Sequence, residues 1–108
     1  MHSVTSNAVA EVLAVSNVVT IVDDSTATIS AHICGKIIII DIYAKAATSI
    51  GYSMSPYTIL PIGQGLKTPL TWERQIRGEA YYNVSTGLIN IDTQFGGAGS
   101  GQIVAFLA

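Results

Sequence analysis

The chain has 108 residues, enough for one domain, and carries a net charge of −2 with only 11% charged residues against 49% apolar ones. Its five cations, Lys36, Lys45, Lys67, Arg74 and Arg77, are scattered, which excludes a phosphate-backbone footprint, so nucleic acid is not an expected partner. A single cysteine, Cys34, excludes an intrachain disulfide framework and reads as a buried strand thiol. No apolar stretch reads as a membrane-spanning helix, because the long uncharged run from Ala46 to Leu66 is broken by Pro56 and Pro61.

Ser3 to Val15 reads as a short helix, capped by Thr5, Ser6 or Asn7 and ended by Asn17. Val9, Val12 and Leu13 lie along one stripe at helical spacing. A helix this short is marginal alone. It fits a bundle around a symmetry axis, or packing on its own domain. Residues 1–17 are therefore assigned to a stem and 18–108 to a head.

After Asn17 the pattern changes to β. Val18 to Val22 is β-branched, Asp23-Asp24-Ser25 is a turn, and Ala27 to Cys34 alternates, with Ala27, Ile29, Ala31 and Ile33 on one face. Gly35-Lys36 turns into Ile37-Ile38-Ile39-Ile40-Asp41-Ile42-Tyr43. Successive side chains of a strand point to opposite faces. Four consecutive isoleucines thus call for cover on both sides, and the cheapest second cover is another copy of the chain, meeting Ile37 and Ile39. Ala46 to Ser55 reads as a loop or weak strand, Tyr57 to Leu60 as a short apolar segment, and Ile62 to Gly65 as a turn. A strand is expected from Trp72 to Ala80, continued or followed by Tyr81 to Val84. Ser85-Thr86-Gly87 is a turn, Leu88 to Asp92 alternates, Gly96 to Gly101 reads as a mobile hairpin tip, and Gln102 to Leu107 as a last strand. Short strands at such spacing indicate an antiparallel sandwich.

Catalytic and metal chemistry find no constellation. His32 and Cys34 share a strand face but lack further ligands of the type a zinc site needs. The carboxylates are sparse, and charged strand residues of this kind ordinarily face solvent or a partner. No enzyme, metal or cofactor is expected. The residues that suit recognition are Trp72, Glu73, Arg74, Arg77, Tyr81, Tyr82 and Asn83: aromatic rings with flat apolar faces, beside groups that hydrogen-bond hydroxyls. The alternative for the rings is that they fill the core or a subunit seam.

Two stretches, taken together, resemble a known family. Ser3-Val4-Thr5-Ser6-Asn7-Ala8-Val9 is similar to the helix start beneath C-terminal head domains of phage and prophage tail fibres. Ile59-Leu60-Pro61-Ile62-Gly63, then Gly87-Leu88-Ile89-Asn90-Ile91, then Ile103-Val104-Ala105-Phe106 resembles the pattern of the heads themselves. The resemblance implies an all-β, jelly-roll-like antiparallel sandwich with a short N-terminal helix, assembled as a homotrimer. It implies a virion location on the tail, adhesion to a bacterial surface glycan without catalysis, and contact with other tail-fibre or baseplate proteins, the chain being a distal piece of a longer fibre or a separately encoded tail product. The alternatives are a trimerisation cap or baseplate component without ligand, and a non-viral jelly-roll adhesin.

Overall fold

The computed structural model describes residues 17–61, 66–93 and 98–108. The expected helix, with Val9, Val12 and Leu13, and the turn at 62–65 lie outside the described residues. Nine strands follow in chain order: β1 (Asn17–Asp23), β2 (Ala27–Cys34), β3 (Ile37–Ala44), β4 (Ser49–Ser53), β5 (Ile59–Pro61), β6 (Lys67–Trp72), β7 (Gln75–Asn83), β8 (Leu88–Thr93) and β9 (Gly99–Leu107). They form one antiparallel sheet in the order β1-β2-β3-β9-β6-β7-β8-β4, with β5 beside β9. The sheet curls, so that side chains from both of its halves meet in one core.

That core follows the alternation of the sequence. Ala27, Ile29 and Ala31 on β2, Ile38, Ile40 and Ile42 on β3, Leu70 on β6, Ala80 on β7, Ile89 and Ile91 on β8, and Ile103 and Ala105 on β9 are all buried. The second side chain of each pair points away from it. Ile37 and Ile39 therefore lie on the outer face of β3, half-buried by their strand neighbours. Cys34 belongs to the same outer face of β2 and is partly exposed, which corrects the expectation of a buried thiol.

The stretch from Ala46 to Ser55, expected as a loop or weak strand, contains β4, paired along its length with β8. Three expectations change. Asn17, expected to end a helix, is the first residue of β1. The expected strand from Trp72 to Ala80 is instead a hairpin, β6 and β7, turning at Glu73-Arg74. Pro69 is tolerated inside β6 because the flank of β6 toward β9 pairs only at Thr71, so no ladder bond is lost. Gly99 to Gly101 are strand residues, not a tip: a Cβ on Gly101 would come within 2.5 Å of the Pro69 carbonyl oxygen, so glycine is what lets β6 pass over β9.

The β1–β2 turn is held by Asp24. Its Oδ1 accepts the backbone N–H groups of Thr26 and Ala27, both at 2.8 Å, and the Tyr52 hydroxyl donates to Oδ2 at 3.2 Å, tying this turn to β4. The backbone N–H donors of Ala27 and Thr26 hold the Asp24 carboxyl below its ordinary 3.8, while burial, then Asp24, pushes the Tyr52 hydroxyl up. The folded state therefore prefers ionised Asp24. Its contribution is complete above pH 3.8 and is lost as pH falls through the lowered folded value. Asp24→Ala is expected to lower Tm by a few degrees at pH 7 and to leave it unchanged well below pH 3.8, as read by circular dichroism melts.

Candidate functional site

The outer face of β2, β3 and β9 changes character from one end to the other. Residues directly opposite on paired strands share a face, so the registers define rows across it. The first row is Thr28, Tyr43 and Ser100, extended to Thr71 on β6. The second is Thr20, Ser30, Asp41 and Gln102. The third is Val18, His32, Ile39 and Val104. The fourth is Cys34, Ile37, Phe106 and Leu60. Hydroxyl, aromatic and carboxylate groups thus occupy one end, and an apolar patch the other. In that patch Val18 is 62% exposed, Leu60 46%, Val104 44% and Phe106 41%.

The polar end is a groove of about 480 Å³ lined by Thr28, Ser30, Asp41, Tyr43, Ser100 and Gln102. Asp41 sits at its centre. Its Oδ1 accepts from Gln102 Nε2 at 2.8 Å, and its Oδ2 lies 2.9 Å from His32 Nε2. Three strands thus hold one carboxylate in place. The Tyr43 ring stacks on Trp72 with centroids 6.2 Å apart and planes at 22°. Both rings are over a third exposed, which makes an apolar wall beside the hydroxyls and the carboxylate. The chemistry of this surface suits a polyol: a ring face offers a place for C–H groups, and Asp41, Ser30 and Ser100 offer hydrogen-bond partners for hydroxyls.

The residues singled out in the sequence divide among several places. Trp72 joins the groove through Tyr43. Glu73 and Arg74 form the exposed β6–β7 turn next to it, both at positive φ, 52° and 66°. This is the two-residue hairpin geometry that favours Asn-Gly, so Glu-Arg is strained there. Glu73→Asn with Arg74→Gly is expected to raise stability by about 1–2 kcal/mol, measured by urea unfolding. Arg77 is the extra residue of a bulge in β7, and its Nε is buried without a hydrogen-bond partner. Tyr81 lies on the outer face of the other half of the sheet, beside Asn90 and Asp92 in a separate depression of about 170 Å³. Tyr82 is 7% exposed and packs in the core, which corrects its assignment to a recognition surface. Asn83 Oδ1 accepts the Ser85 N–H at 2.9 Å in the turn at the far end of β7. The set therefore does not form one site. Asp41, Tyr43 and Gln102 were not singled out, and His32 was considered only as a metal ligand, although a charged Asp41 within a run of isoleucines marks the place.

Among the described residues no cluster of three or more metal-ligating side chains gathers, and no helix is long and apolar enough to cross a membrane. Compared with protein-family models, curated proteins and solved structures, the chain finds no match in any of the three.

Proposed function

We propose that this chain is the head of a trimeric phage or prophage tail-fibre tip, jelly-roll-like in architecture, that adheres to bacterial surface carbohydrate without catalysis. The observation that carries the reading is the outer face of β2, β3 and β9, where a groove suited to a polyol runs into an apolar patch on the same strands. Soluble chains rarely leave such a patch uncovered, and a sister chain of the same composition is the cover that fits it. Ile37 and Ile39 then lie in the seam, while the groove, which begins at Asp41 about 7 Å beyond Ile39 along β3 and runs on to Tyr43, stays open at the periphery. Three grooves on one tip compensate for the weakness of a single shallow site. Asp41, held between Gln102 Nε2 at 2.8 Å and His32 Nε2 at 2.9 Å, is positioned to anchor a sugar hydroxyl. The setting in the tail, beside other fibre or baseplate proteins, rests on the resemblance of the sequence motifs.

The test is an array of bacterial polysaccharides probed with the intact chain. Binding is expected to fall at least tenfold for Tyr43→Ala and to be kept by Tyr81→Ala, whose ring lies on the other half of the sheet. A trimer that binds no polysaccharide would instead be a structural cap.

A further inference from the structure

We propose that the groove selects neutral hexose units, anchored through Asp41, and turns away sugars that carry carboxylate, phosphate or sulfate. This rests on the adhesion reading above and names its ligand class.

The argument is an inventory of donors and charges. Each oxygen of a carboxylate accepts about two hydrogen bonds. Asp41 Oδ1 has one from Gln102 and Oδ2 one from His32, so each keeps capacity for one more donor. Two adjacent hydroxyls of a pyranose supply such a donor pair. Charge assistance makes these the strongest contacts the groove can offer. An anionic sugar needs the opposite, fixed N–H donors or a cation. The groove lining contains neither Lys nor Arg. The amide N–H group of Gln102 is turned to Asp41, and His32 is turned to the same carboxylate. Thr28 Oγ1 donates to Asp23 Oδ1 at 3.2 Å, which brings a second carboxylate to the rim. The Lys45 ammonium beside it is bound by that same Asp23 oxygen at 3.0 Å and by the Asp24 carbonyl at 2.6 Å. At the other rim, Glu73 and Arg74 follow Trp72 with opposite charges. An added anion would thus meet Asp41 directly and find no cation committed to it, and like-charge juxtaposition is a strong means of rejecting a wrong ligand. The Tyr43 ring, backed on Trp72, meets the apolar face of the same sugar.

The experiment uses the intact chain and immobilised oligosaccharides of one backbone in two forms, one of neutral hexoses and one with a hexuronic acid replacing a hexose in each repeat. Wild-type protein is expected to bind the neutral form at least tenfold more tightly. Asp41→Asn keeps the side-chain shape and is expected to weaken neutral binding at least tenfold, with the melting temperature changed by no more than a few degrees. Asp41→Asn should also narrow the gap between the two forms, because the repelling charge is gone. Equal or tighter binding of the acidic form by wild type would overturn the inference while leaving adhesion intact. So would neutral binding that survives Asp41→Asn. Binding of neither form, on this and on a wider polysaccharide array, would overturn the adhesion reading itself.

Discussion

Gly78→Val is expected to abolish the folded state. Gly78 pairs with Thr93 across β7 and β8, and a Cβ there would fall on the Asp92 carbonyl and the Thr93 Cα. All of these atoms are backbone, so no rotamer change relieves the overlap. The strands would have to part. Thr93 would move with them, and its hydroxyl accepts the Thr48 N–H at 2.7 Å and anchors the approach to β4. The strain therefore spreads through β7, β8 and β4 and exceeds the 1–3 kcal/mol of ordinary overpacking, against a total stability of about 5–15 kcal/mol for a domain. Thermal melts by circular dichroism should show either no cooperative transition or a Tm lowered by more than about 15 °C. Gly35 is the matched control. It has φ of +60° but no atom within 4 Å of a Cβ. Gly35→Asn, which tolerates that conformation, should change stability by less than about 1 kcal/mol. A Gly78→Val protein that melts like wild type would contradict the β7–β8 register.

Ile39→Asp is expected to dissociate the proposed trimer and leave the head folded. Ile39 stands between His32 and Val104 on the outer face, so its loss opens no cavity in the core. In a threefold seam the same change places an aspartate from each chain in apolar surroundings. Loss of a buried isoleucine alone costs about 2 kcal/mol per subunit, and desolvating the carboxylates adds to it. Sedimentation at micromolar concentration should then give a monomer with an unaltered strand spectrum. Ile38→Asp, one residue away but fully buried, should unfold the chain. The pair of variants separates assembly from folding, because Ile38 is fully buried in the core while Ile39 lies on the outer face.

The alternation of inward and outward faces along β3 was legible in the sequence. The isoleucine run, the alternation of Ala27 to Cys34 and that of Leu88 to Asp92 all appear in the strands and in their buried faces. The β6–β7 turn was not, because Glu73-Arg74 carries none of the glycine or asparagine that marks a positive-φ hairpin. Gly99 and Gly101 misled for the opposite reason. Glycine marks both mobility and close backbone approach, and only the passage of β6 over β9 tells them apart. The groove was the least legible part. Gln102 meets Asp41 across 61 positions of chain, and His32 meets it from the neighbouring strand. Tyr43 finds Trp72 only once β9 and β6 lie side by side. Local pattern identified aromatic and polar residues suited to recognition, but strand register decides which of them converge, and the Trp72-to-Asn83 stretch was too long to stay in one place.

The central claim is that the apolar end of the β2-β3-β9 outer face is covered by sister chains. Sedimentation velocity of the wild-type chain, diluted stepwise through the micromolar range, tests it most directly. A mass of three chains, retained on dilution and lost in Ile39→Asp, is the expected result. A well-folded monomer throughout, with Ile37, Phe106 and Val104 facing water, would contradict it.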